Sequence, residues 1–189
     1  MEESQPLSEP TTLVQTFKGK SIISISNGQT IGTVNDILID PKDLRISAIV
    51  TSKGGLLSRE IDAILANEIR VWGKDVILVS GPDIIRKKED IPDLGDWLSV
   101  SNQIKGREVF SLDGLRVGEI NDLVVDMEGN LVSYDLVKVG TSMAEAMVAG
   151  PEEEKKRLLI NTTHAMGKDV LIVDLAKGHQ GDIATEFED

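Results

Sequence analysis

Four aspartates recur at matched positions, Asp36 with Asp40 and Asp122 with Asp126. Paired carboxylates are the raw material for a general acid and base or for a cation site. Such chemistry needs further members: a nucleophile, a partner base or donors for a developing oxyanion. The sequence places none beside these acids. Asp40 and Asp126 begin turns, where a carboxylate accepts a backbone N–H. Asp36 and Asp122 each follow an asparagine at a proposed bend and are expected to satisfy backbone donors there. Gly19-Lys20-Ser21 has the ending of a phosphate-binding loop, but Val14 stands where the first glycine is required, and a strand rather than a helix follows. His164 and His179 are the only histidines, and neither has a second histidine or a cysteine at ligand spacing. The expectation is a chain with no catalytic residue, no metal and no cofactor, and with His164 on a solvated position.

The elements that carry these residues are written twice. Gly28 to Asp40 recurs as Gly114 to Asp126, with five of thirteen positions identical and five more exchanging one aliphatic residue for another. A second echo pairs Asn67…Gly73-Lys74-Asp75-Val76-Ile77-Leu78-Val79 with Asn161…Gly167-Lys168-Asp169-Val170-Leu171-Ile172-Val173. Two copies signify a duplicated small domain, since stacked solenoids need three or more units. Within the first copy, Ser21–Ile25, Ile31–Ile39, Ile46–Thr51, Ile61–Leu65 and Val76–Val79 read as strands, rich in β-branched residues and separated by Gly, Asn, Asp and Pro. Asn27-Gly28 and Asp113-Gly114 are hairpin dipeptides, because both residues of each pair tolerate positive φ. Alternation fails at Asn35-Asp36, which predicts a bulge that re-phases the strand. Short, strongly bent strands with few helices predict a small barrel in each copy, a form in which closure removes exposed edges.

The fold class is therefore mainly all-β: two tandem small barrels with short helical or loop additions. Residues 1–12 read as a disordered polar tail, 13–81 as copy 1, 82–104 as a linker, 105–177 as copy 2 and 178–189 as an acidic tail. Leu94, Trp97, Leu98 and Val100 give the linker apolar residues that can dock on one barrel. Residues 138–158 form the enlarged loop of copy 2. There Met143 and Met147 lie four apart on a helix-friendly stretch, followed by Glu152 and Glu153 in a charged run. These four residues are the candidate partner-binding positions, with local packing of the two methionines as the competing reading.

Composition narrows the function classes. Twenty Lys and Arg stand against 32 Asp and Glu, a net charge of −12, which disfavours nucleic acid as a partner. With no cysteine there are no disulfides or thiolate metal sites. No apolar run approaches the ~18 residues of a membrane span, and the N-terminus lacks the basic start and apolar stretch of a signal peptide. The expected location is the cytoplasm, with membrane contact only through a partner. Exposed barrel rims leave a homodimer open.

Lys18-Gly19-Lys20-Ser21-Ile22-Ile23, then Gly28 through Asp40 with Ile31, Gly32, Val34, Asp36, Ile37 and Ile39, then Arg45-Ile46-x-Ala48-Ile49-Val50, then Gly73 through Val79, resembles the PRC-barrel domain. Copy 2 resembles it from Lys105-Gly106-Arg107 to Val173. That family includes the cytoplasmic part of the photosynthetic reaction centre H subunit and the C-terminal part of a ribosome maturation factor. The resemblance implies a non-enzymatic module that docks on proteins within larger assemblies, and some free-standing archaeal relatives are adaptors to cell-division machinery. It carries over no catalytic residue. The chain departs from the H subunit in lacking its membrane helix, and from the maturation factor in pairing the barrel with a second copy of itself. The leading expectation is a protein–protein adaptor or scaffold. Two alternatives stay open: a ribosome- or RNA-associated factor acting through ribosomal protein contact, and a small-ligand binder at the junction between barrels.

Overall fold

A computed structural model describes residues 10–52, 62–139 and 156–180. Its strands are β1 (Thr12–Leu13), β2 (Ser21–Ser24), β3 (Thr30–Asp40), β4 (Arg45–Ser52), β5 (Asp62–Leu65), β6 (Ile69–Trp72), β7 (Val76–Val79), β8 (Arg86–Lys87), β9 (Leu98–Ser99), β10 (Glu108–Ser111), β11 (Arg116–Val125), β12 (Leu131–Val137), β13 (Lys156–Leu159), β14 (Thr163–Met166) and β15 (Val170–Val173). They form two barrels. The first sheet runs β6-β7-β2-β3-β4-β5-β8, and the second runs β14-β15-β10-β11-β12-β13. All neighbours are antiparallel except β2 with β7 and β10 with β15, parallel pairs that tie the start of each copy to its end. The mainly all-β tandem architecture expected from the repeat is the one found.

Each local feature has a sequence cause. The hairpins between β2 and β3 and between β10 and β11 turn on Gly28 (φ 70°) and Gly114 (φ 81°), a conformation that costs an L side chain strain. The register shift between Val34 and Asp36 is the bulge that broken alternation predicts, and Ile120/Asp122 repeats it. Gly73 and Gly167 recur for a packing reason. A Cβ on Gly73 would stand 2.4 Å from the Val76 carbonyl oxygen, and on Gly167 3.3 Å from that of Val170. The strand Ile69–Trp72 escapes periodicity because Ile69 is buried while Arg70 and Val71 are exposed.

The cores are aliphatic, as the scarcity of aromatic residues requires. Ile22, Ile39, Ile46, Ile49, Ile64 and Ile77 fill barrel 1, and Ile120, Leu123, Leu136 and Leu171 fill barrel 2 around Tyr134. One contiguous apolar cluster includes residues of both barrels together with Val14, Phe17, Leu98, Val100 and Ile104. The cause is an exchange of lead-in segments. β1, which precedes barrel 1, pairs with β11 of barrel 2 (Thr12 with Val125, Leu13 with Val124). β9, which precedes barrel 2, pairs with β3 of barrel 1 (Leu98 with Ile39, Ser99 with Leu38). Every one of these positions recurs 86 residues along (12 and 98, 39 and 125), so the exchange is reciprocal.

The segment read as a linker is thus part of the fold. Ile91 and Leu94 are buried, and with Trp97 they pack on an outer apolar patch of barrel 1 made by Leu38, Ala48 and Ala63. Leu98 and Val100 continue into the shared core. Thr12, assigned to the tail by composition, is a strand residue.

Candidate functional site at the barrel junction

The repeated aspartates sit where the barrels meet. Asp36, on the bulge of β3, is only 8% exposed. Its Oδ1 accepts the amide of Ile37 at 2.8 Å and that of Ser101 at 3.2 Å, while Oδ2 accepts the Ser99 hydroxyl. Asp122, 2% exposed on β11, accepts the Leu123 amide at 2.8 Å on Oδ1 and the Gln15 amide at 3.1 Å on Oδ2. The reading of these acids as backbone acceptors holds. What sequence adjacency hides is that the other donors, Ser99 and Ser101 for Asp36 and Gln15 for Asp122, lie 63, 65 and 107 residues away, on the lead-in segment of the other copy. Each barrel's buried carboxylate therefore caps the helical turn that introduces its sibling, Val14–Phe17 or Val100–Ile104.

The two caps differ. Leu13 occupies the position of Ser99, so Asp122 lacks the hydroxyl that completes Asp36. Burial raises the Asp122 carboxyl above its usual range, against the amides of Leu123 and Gln15 and the Lys105 ammonium; the neighbouring Asp135 pushes in the same direction as burial. Asp135 lies opposite Asp122 in the ladder and accepts the Asn121 side-chain amide at 2.8 Å.

Between the caps runs a cleft of about 410 Å³, lined by Val14, Val100 and Ile37 with Lys18 and Lys105, which occupy matching places before Gly19 and Gly106. The Lys18 ammonium donates to the Ser101 hydroxyl at 3.1 Å. A second junction lies at the β3–β4 and β11–β12 turns. There the Ile46 amide donates to the Gly129 carbonyl at 2.9 Å and the Leu131 amide to the Leu44 carbonyl at 3.1 Å. Leu44 (φ 51°) and Gly129 (φ 84°) supply the left-handed corner that brings the two turns together.

The outer acids shape those turns. Asp40 Oδ1 accepts the Lys42 amide at 2.8 Å, and Asp126 Oδ1 accepts that of Glu128 at 2.8 Å. Burial pushes Asp126 up, but the Asn130 side chain and the amides of Asn130, Glu128 and Gly129 outweigh it and hold the carboxyl below its usual range. A depressed folded-state value adds stability above the unfolded value of about 3.9, which is lost as pH falls through the folded one. Asp126→Asn is accordingly expected to melt below wild type at pH 7, with the gap closing as the pH is taken below about 4 in a thermal-unfolding series. A gap that persists in acid would mean that the charge contributes nothing.

Gly19-Lys20-Ser21 is a turn into β2. The Lys20 ammonium donates to the Gly73 carbonyl at 2.8 Å and lies 4.7 Å from the centre of the Phe17 ring. Its counterpart Arg107 is buried and donates from Nη1 to the Gly167 carbonyl. Burial lowers the Arg107 guanidinium, opposed by Asp169 and Tyr134. Neither copy builds a phosphate cradle here. His164 is exposed on β14. Met143, Met147, Glu152 and Glu153 lie outside the described residues. Among the described residues no group of three His, Asp or Glu side chains gathers as a metal site, and no helix is long and apolar enough to cross a membrane.

The site and fold define a pair of small β-barrels locked by exchanged lead-in segments. The PRC-barrel domain family matches the chain twice, over residues 12–85 and 101–180. The chain belongs to that family. It is also similar to an uncharacterized protein of Clostridium acetobutylicum, with 27% identity over 84 residues that make up 42% of this chain and 97% of that protein. A stretch of that length corresponds to a single copy.

Proposed function

We propose that this chain is a non-enzymatic protein–protein adaptor, a rigid scaffold within a larger assembly. The supporting observation is the reciprocal exchange. Capping across the junction, a shared core and two backbone contacts between turns hold the barrels in one orientation. Two related but unlike surfaces are thereby offered to a partner at high effective concentration. The surfaces differ where the copies diverged. Ile91, Leu94 and Trp97 of the linker pack on the outer patch of barrel 1. The enlarged connection of copy 2, read as loop through residue 158, ends where β13 begins at Lys156, and it is longer than the β4–β5 connection of copy 1. Loops of this kind carry recognition more often than the scaffold beneath them. Removing Ser142–Pro151 is expected to shift the unfolding midpoint little and to abolish recovery of the partner in affinity purification from the native cell. Unchanged recovery would reject the loop as the contact.

A second reading, a small-ligand binder, draws on the cleft between Asp36, Asp122, Lys18 and Lys105. Its test is a metabolite thermal-shift screen, in which a hit must disappear in the Lys18→Ala, Lys105→Ala double variant. A ribosomal version of the adaptor predicts capture of a basic ribosomal protein, since the chain's charge of −12 repels RNA.

A further inference from the structure

From the edge of β13 we infer that barrel 2 binds an extended acidic segment of a partner protein as an added strand. The inference rests on the adaptor reading and deepens it by naming the partner's chemistry. Barrel 1 shows that this edge is competent. Its equivalent strand β5 carries β8 on its outer side, with Asp62 opposite Lys87 and Ala63 opposite Arg86. β13 occupies the same place in barrel 2, pairing with β12 through Ser133–Leu159, Tyr134–Leu158, Asp135–Arg157 and Leu136–Lys156. Among the described residues no strand lies on its other side.

Among the described residues the chain's own course also differs. After β7 a three-residue turn, Pro82–Ile84, sends the backbone back along β5 as β8. After β15 the turn Leu175–Gln180 is six residues long, so the chain is still turning where barrel 1 has begun its added strand. An edge with free N–H and C=O groups is a template for strand addition.

Charge selects the occupant. Barrel 1 pairs an acidic edge residue, Asp62, with the basic Arg86-Lys87 strand. In barrel 2 Lys156 takes the place of Asp62, so the sign is reversed. Arg157 stands at the place of Ala63, is exposed, and makes no ion pair among the described residues. Its ladder neighbour Asp135 is already engaged by Asn121. The sheet face beside the edge has changed with it. Ala48 and Ala63, which receive the apolar linker in barrel 1, correspond to Ser133 and Arg157. A copy of the apolar linker would find no matching patch, whereas a strand bearing Asp or Glu opposite Arg157 meets a complementary charge.

The experiment is fluorescence anisotropy of the full chain at low salt, with a labelled short peptide alternating glutamate and valine. Saturable binding is expected. Arg157→Glu should weaken it about tenfold or more, and should confer binding to the matching lysine–valine peptide. A glutamate–valine probe with alternate backbone nitrogens methylated keeps its side chains but cannot complete a ladder, and should not bind. No saturable binding, equal binding of the methylated probe, or an affinity indifferent to Arg157→Glu would each overturn the inference. So would binding that emerges only when residues 181–189 are removed, since the edge would then belong to the chain's own acidic end. These outcomes leave the adaptor reading standing, because the purification experiment does not involve the edge.

Discussion

Tyr134→Ala is expected to lower the unfolding free energy by about 4 kcal/mol, the range for truncating a large buried ring. Tyr134 is the largest fully buried side chain, and its hydroxyl shares a 2.7 Å hydrogen bond with Thr163 on β14. Burial pushes its phenol up to about 12, so the ring is neutral at every pH at which the chain would be studied. The loss should also be felt in barrel 1. Both tryptophans lie outside barrel 2: Trp72 is on β6, with its ring 5.0 Å from that of Phe17, and Trp97 is in the linker. Because the core cluster is contiguous, tryptophan fluorescence and far-ultraviolet circular dichroism should report one urea transition, shifted together. A fluorescence midpoint that stays at the wild-type value would show that the barrels unfold independently.

Asp36→Ala is expected to cost about 3 kcal/mol, since it leaves the Ile37 and Ser101 amides and the Ser99 hydroxyl without their acceptor. Asp122→Ala removes a cap with fewer donors and a carboxylate that is expensive to bury, so about 1.5 kcal/mol is expected. The cost of Asp122→Ala also depends on pH. A carboxyl raised in the folded state contributes fully below the unfolded value and loses that contribution as pH rises through the folded one. Asp122 therefore works against Asp126 across the acid range, and the penalty for Asp122→Ala should grow as the pH is lowered. Urea titrations at neutral and acid pH check both statements. Equal costs for the two substitutions would contradict the asymmetry between Ser99 and Leu13.

Much of this architecture is legible before any coordinates. The repeated Gly28–Asp40 stretch announces the copies, and β-branched runs locate β2, β3, β4 and β7 to within a residue or two of their observed ends. Broken alternation at Asn35-Asp36 locates the bulge. These signals are local: a turn dipeptide or a change of parity is written in neighbouring residues. Ile69–Trp72 lacked such a signal, because a short strand with one buried residue has no period to read.

The candidate site was legible only in half. Residue type and the Asn-Asp repeat identify Asp36 and Asp122 as backbone acceptors, and the aliphatic composition dictates cores of Ile, Leu and Val. The duplication and the class of the fold follow from sequence alone, since hydrophobic period and turn chemistry act over a few residues. That each lead-in segment serves the other barrel was decided only in three dimensions. Thr12–Leu13 and Leu98–Ser99 are too short to prefer one strand edge over another. Their choice rests on two buried carboxylates and a common apolar cluster, which come into being only when both copies are folded together.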